Sequence, residues 1–119
     1  MTILVIDDSI IQLRIQEGLL RGKYDVIAAR SGIEGCMLAK EKKPDLIILD
    51  YDMPVMDGRA TFANLQEEPA TADIPVIFLT AVNDREHIKQ VIELGPASYL
   101  LKPVEQNRLL RTIEHVMNY

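Results

Sequence analysis

The chain has 119 residues, 48% of them hydrophobic and 26% charged, with a net charge of −5 and a single cysteine, Cys36. That length suits one domain, residues 1–119, which buries roughly two thirds of its unfolded surface and needs no disulfide or structural metal. Its acidic balance disfavours direct nucleic-acid binding, and with no apolar run near the about 20 residues of a membrane span and no basic leader, the expected compartment is the cytoplasm.

Apolar runs of strand length recur, separated by stretches with helical spacing. The first, "ILVI" (3–6), ends in Asp7 and Asp8. Ser9 with Gln12 then reads as a capping box opening helix one, whose Ile11, Ile15 and Leu19 repeat every four positions as its inward side. "YDVIAA" (24–29) ends in Ala29-Arg30, with no reactive side chain to offer. Ser31 with Glu34 opens helix two, which carries Cys36 as a small hydrophobe. "LIIL" (46–49) reads as a strand buried on both faces, yet it runs straight into Asp50, with Asp52 and Asp57 close behind. Helix three follows Gly58. "PVIFL" (75–79) ends in Thr80, and helix four extends from about Asp84 to Leu94, stops at Gly95-Pro96 and turns Ile88, Val91 and Ile92 inward. "SYLL" (98–101) ends in Lys102-Pro103. Helix five, 105–117, buries Leu109, Leu110, Ile113 and Val116 and leaves Glu105, Arg108, Arg111 and His115 in water.

Five strands alternating with five helices require crossover connections, hence an α/β doubly wound fold with a parallel sheet covered on both faces. In such sheets the site forms at the carboxyl ends of the strands. Four of the five strand ends bring polar side chains there: Asp7 and Asp8, Asp50, Thr80 and Lys102. Singly, each has an ordinary reading, as a helix cap, a turn or a solvated charge. Jointly they do not, because three adjacent carboxylates repel one another unless protonated or neutralised. A divalent cation removes the conflict, and Mg²⁺ suits one or two carboxylates plus waters and a phosphate oxygen.

"ILVIDD" at the start, "LDYDMPVMDG" at 49–58, "FLTA" at 78–81 and "YLLKP" at 99–103 together resemble the receiver domain of two-component response regulators, over the whole chain. The resemblance implies a flavodoxin-like sheet in the order 2-1-3-4-5, which sets strands one, three, four and five side by side. It implies that Asp50 is the phosphoacceptor that forms an aspartyl phosphate. Asp8 would then be a direct Mg²⁺ ligand and Asp7 one acting mainly through water, with Asp50 and the backbone carbonyl of Asp52 completing the set and Mn²⁺ as a substitute. Lys102 would pair with the phosphoryl oxygens and Thr80 would donate its hydroxyl to them. Thr80 and Tyr99 would form the switch that repacks helix four, strand five and helix five, and a cis Lys102-Pro103 bond would aim the lysine. The implied partners are a histidine kinase or phosphotransfer protein, a downstream effector protein or output domain, and a second copy on phosphorylation.

The resemblance makes the domain regulatory, with self-catalysed phosphoryl transfer and slow autodephosphorylation as its only chemistry. Some positions depart from the commonest choices of that family. Pro96 stiffens the loop before strand five, and Asp52 and Val82 occupy positions that tune dephosphorylation. His87 and His115, the only histidines, are expected on solvated helix surfaces without metal-ligand partners, while Met53 and Met56 flank Pro54 as packing or interface residues. Three rival readings remain beside this one. "DYD" at 50–52 is the D-x-D of haloacid-dehalogenase-type phosphatases, but Pro54 stands where they place Thr. A flavin carrier shares the sheet, but "DDS" after strand one would repel its phosphate. A phosphorylation-independent interaction module would not need the acceptor, acid pair, Thr and Lys together. The chain ends soon after helix five, so it reads either as a stand-alone receiver or as a piece of a longer regulator.

Overall fold

The computed structural model describes residues 1–53, 56–81 and 85–118. Pro54, Val82 and Asp84, which bear on the expectations above, lie outside the described residues. Five strands, β1 (Thr2–Ile6), β2 (Asp25–Ala29), β3 (Leu46–Asp50), β4 (Val76–Thr80) and β5 (Ser98–Leu101), alternate with α1 (Ile10–Leu20), α2 (Gly32–Lys42), α3 (Gly58–Glu67), α4 (Arg85–Glu93) and α5 (Gln106–Asn118). All strand pairs are parallel, and the order is β2-β1-β3-β4-β5.

Strand alternation divides the core in two. Leu4, Ile6, Ile47, Leu49, Val76 and Phe78 pack with Ala39, Phe62, Leu65 and Val91 under α2, α3 and α4. Ile3, Val5, Leu46, Ile48, Ile77 and Leu79 pack with Leu13, Leu20, Leu109 and Ile113 under α1 and α5. All five residues of β3 and of β4 are buried, as the uninterrupted apolar runs require of central strands covered on both faces. The helices start where the capping residues stand. Ser9 Oγ accepts from Gln12 N at 3.2 Å and Ser31 Oγ from Glu34 N at 3.1 Å, while Asp57 Oδ1 accepts from Ala60 N at 2.8 Å and so opens α3. Gly95, at φ +82°, takes the left-handed conformation just past α4 that ends the helix cheaply.

Two inward stripes differ from the sequence reading. In α1 the buried residues are Leu13, Gln16 and Leu20, whereas Ile11 and Ile15 are 68% and 48% exposed. The segment carries two competing apolar stripes, and the one that meets Val5 and Ile48 across the α1–α5 layer wins. In α4, Val91 is fully buried but Ile92 is 55% exposed, because this nine-residue helix rests on the sheet along a narrow line. In α5 the expectation holds: Leu109 and Ile113 are buried, Leu110 and Val116 half-buried, and Arg108, Arg111 and His115 exposed.

Candidate functional site

Register brings the site together. Ile6 pairs with Leu49, so the residues that follow, Asp7 and Asp50, leave the sheet side by side. Thr80 pairs with Leu101, and Lys102 N donates to Thr80 O at 2.8 Å, which fixes the lysine at the same edge. Side chains alternate across a strand. Asp7, Asp50 and Lys102 therefore share the face of Val5, Ile48 and Leu100 above α1 and α5, and Thr80 shares the opposite face with Phe78.

Asp7 and Asp50 are buried, Asp8 is exposed, and one ligand atom from each of the three carboxylates lies within 4.8 Å of the others. Lys102 Nζ bridges the buried pair, 3.1 Å from Asp7 Oδ2 and 3.0 Å from Asp50 Oδ1. Asp50 Oδ1 also accepts from Asp52 N at 3.2 Å, and Asp7 Oδ1 from Ser9 N at 3.0 Å, so both carboxylates are oriented by the loops they begin. Burial, then repulsion from Asp7, raises the Asp50 carboxyl to about 6 even though Lys102 opposes the rise. Burial alone would lower the Lys102 ammonium, but the Asp50 and Asp7 carboxylates outweigh it and hold the group above the ordinary lysine value. The bond between Lys102 and Pro103 is cis, as expected.

Gly58 meets the chain again where it leaves β3. Gly58 N donates to Tyr51 O at 3.0 Å, and a Cβ on Gly58 would lie 2.7 Å from Asp50 O and 2.5 Å from Tyr51 Cα, which excludes any larger residue without moving the backbone of Asp50 and Tyr51. Met53 is buried and Met56 half-buried, in keeping with a packing role. Cys36 is half-buried on α2.

Thr80, on the opposite face, has partners of its own among the described residues. Its Oγ1 donates to Asp52 Oδ2 at 3.0 Å, and the Nε2 of His87 lies 3.2 Å from the same hydroxyl. Here the expectation for His87 fails. The side chain is only 18% exposed, lies 3.9 Å from Asp52 Oδ1 and stands edge-on to the Tyr51 ring with centroids 4.8 Å apart. Helix α4 folds back across the end of β4, and no periodicity in the sequence signals which of its residues lands beside Thr80. His115 is exposed as expected.

Gln16 was also missed. It is buried and donates through Nε2 to Asp7 Oδ2 at 3.3 Å, and its Oε1 is the one described buried side-chain atom left without a hydrogen bond. A signal was present, because Gln16 falls on the Leu13–Leu20 line of α1, where an amide interrupts an apolar stripe. Tyr99 is half-buried and packs against the cluster that holds Phe78 and Val91.

An open parallel sheet whose carboxyl edge carries a lysine-bridged pair of buried carboxylates and a third, exposed one defines a flavodoxin-like receiver module. The family model of the response regulator receiver domain matches residues 3–114, and the chain belongs to that family. The chain is 33% identical over 118 residues to the response regulator PleD of Caulobacter vibrioides, covering 98% of this chain but 26% of PleD. It therefore spans about a quarter of the length of that relative. Among solved structures, the N-terminal domain of a response regulator receiver protein from Methanoculleus marisnigri is 38% identical with a TM-score of 0.78, covering 99% of this chain and 97% of that one. The receiver domain of a sensor histidine kinase from Pseudomonas aeruginosa, solved with a magnesium ion coordinated in its active-site cleft, is 25% identical with a TM-score of 0.91, covering 99% and 98%. Among the described residues no helix is long and apolar enough to cross a membrane.

Proposed function

We propose that this domain, residues 1–119, is the phosphoacceptor of a two-component phosphorelay, taking a phosphoryl group from a histidine kinase or phosphotransfer histidine onto Asp50 and shifting the surface made by α4, β5 and α5. The observation that carries the reading is the buried Asp50 carboxylate at the end of a rigid central strand, bridged by Lys102 to a second buried carboxylate. One Asp50 oxygen, Oδ1, is engaged by Lys102 and Asp52 N, and the other is the nucleophile. It attacks phosphorus, a P–O bond forms, the donor's P–N bond breaks, and the leaving imidazole keeps the electron pair and takes up a proton. The Lys102 ammonium supplies positive charge where the phosphoryl oxygens come to lie.

Three carboxylates against one ammonium leave the cleft negative, and this hard oxygen donor set suits Mg²⁺, with Mn²⁺ as a substitute. Asp7, Asp8, Asp50 and the backbone carbonyl of Asp52 are the groups that would hold it. When bound, the ion offsets the repulsion between an anionic nucleophile and a phosphoryl group. Magnesium in the cleft of the related kinase receiver supports this assignment. Thr80 donates its hydroxyl to the phosphoryl group, and Tyr99 follows it inward as the switch. The setting is the cytoplasm, and the partners are the phosphodonor, an effector protein or output domain, and a second phosphorylated copy. Turnover is limited to slow loss of the phosphoryl group.

Intact mass after incubation with Mg²⁺ and a small acyl phosphate tests the reading. Gain of one phosphoryl group, lost with EDTA and in Asp50→Asn, is expected; no gain in folded, Mg²⁺-binding protein would point to a phosphorylation-independent interaction module.

A further inference from the structure

Thr80 has one hydroxyl proton, and among the described residues Asp52 and His87 compete for its oxygen. A carboxylate only accepts, so the proton goes to Asp52 Oδ2, 3.0 Å away, and the hydroxyl oxygen must accept from His87 Nε2 at 3.2 Å. Nε2 therefore carries hydrogen, and the same nitrogen faces Asp52 Oδ1 at 3.9 Å. A second hydrogen bond to Asp52 Oδ2 comes from the backbone N of Ala81, the residue after β4, at 3.4 Å. The imidazole cannot drift, because the Tyr51 ring meets it edge-on with centroids 4.8 Å apart, and Tyr51 is itself buried against Phe78. One ring on α4 thus ties together the residue after the acceptor, the residue two after it, and the end of β4.

We propose that His87 is a positioning residue for Thr80: with Asp52 it holds the hydroxyl in its resting place on the α4 side of the sheet, away from the Asp50–Lys102 side, and its release is how α4 senses the phosphoryl group. This rests on the phosphoacceptor reading and adds to it a defined resting contact. Alternation places Thr80 and Asp50 on opposite faces of adjacent strands, so the hydroxyl must leave this pair of partners before it can donate to a phosphoryl oxygen. A ligand shifts such an equilibrium only by its differential affinity for the two states. The hydrogen bonds to Asp52 and His87 are therefore among the contacts that a phosphoryl group has to outcompete. Once Thr80 has turned, His87 loses its partner at the sheet edge and the first turn of α4 loses that tether.

The test uses Mg²⁺ with beryllofluoride, a non-covalent phosphoryl mimic, and the Thr80 methyl signal in the metal-free protein. His87→Ala should bind beryllofluoride roughly five- to tenfold more tightly than the wild type, the size expected for one lost hydrogen bond in the resting state. Affinity for Mg²⁺ alone should not change. His87→Gln, which returns an N–H donor at similar reach, should restore the wild-type value, and in a Thr80→Ala background the effect of His87→Ala should vanish. In the metal-free protein His87→Ala should populate a second Thr80 rotamer, read from methyl couplings, and His87→Gln should not. An unchanged beryllofluoride affinity, or an equal shift in the Thr80→Ala background, would overturn the proposal. So would an unchanged Thr80 rotamer, a readout that stands even if Asp50 accepts no phosphoryl group.

Discussion

Asp50 is a carboxylate placed where a carboxylate is costly: buried, beside Asp7, and only partly relieved by Lys102. Its folded-state value of about 6 lies above that of an unfolded aspartate, so ionising it opposes folding. The sign follows directly. The cost is absent below about pH 4, grows between about pH 4 and 6 as the unfolded chain gives up a proton that the native carboxyl keeps, and is complete above about pH 6. Asp50→Asn should therefore stabilise the cation-free protein by about 1–2 kcal/mol at pH 7.5 in urea unfolding, and the gain should shrink toward zero by about pH 4. A loss of stability at pH 7.5 would mean that the Lys102 bridge more than offsets the burial. The proposed function accounts for the cost, since a nucleophile must keep an oxygen available instead of satisfying both with hydrogen bonds.

At the scale of elements, the strands and caps were legible and the inward stripes of α1 and α4 were not. Residues 46–49 and 75–79 are uninterrupted apolar runs, so their burial on both faces followed from composition. Ser9, Ser31 and Asp57 each carry an oxygen where a helix leaves amide donors unpaired, so the starts of α1 and α2 could be read from Ser9 and Ser31. In α1 the apolar residues lie on two lines, Ile11–Ile15 and Leu13–Leu20, and local periodicity cannot choose between them. Packing against β1 and β3 chooses, and the chosen line includes Gln16 because Asp7 waits for its amide. Substitution tests this register. Ile11→Lys and Ile15→Lys should each change stability by less than about 0.5 kcal/mol, while Leu13→Ala and Leu20→Ala should each cost about 2–5 kcal/mol in denaturant unfolding. The reverse ranking would place the other stripe inside. The gathering of Asp7, Asp8, Asp50 and Lys102 was legible because strand ends of a parallel sheet share one edge. The place of His87 was not, since it depends on how α4 returns over Thr80.

For the whole molecule, the candidate site is divided between the faces of the two half-cores. Asp50 and Lys102 lie on the α1–α5 side, whereas Thr80, His87 and Tyr99 belong to the side that packs α4. On the proposed switch, phosphorylation would draw the Thr80 hydroxyl across the edge of the sheet, and the half-buried Tyr99 ring, packed in the same half-core, would follow it. Tyr99→Ala should accept phosphoryl groups at the wild-type rate by intact mass, yet the methyl shifts that phosphorylation sends into Val91, in the half-core that holds Tyr99, should shrink. Undiminished shifts would exclude Tyr99 as the switch.

Borohydride trapping addresses the central claim most directly. Phosphorylated protein is reduced and digested, and the modified peptide is sequenced by tandem mass spectrometry. An acyl phosphate on Asp50 predicts homoserine at position 50, dependent on Mg²⁺ during loading. A phosphoryl group found instead on His87 or His115, or on no residue at all, would contradict the account.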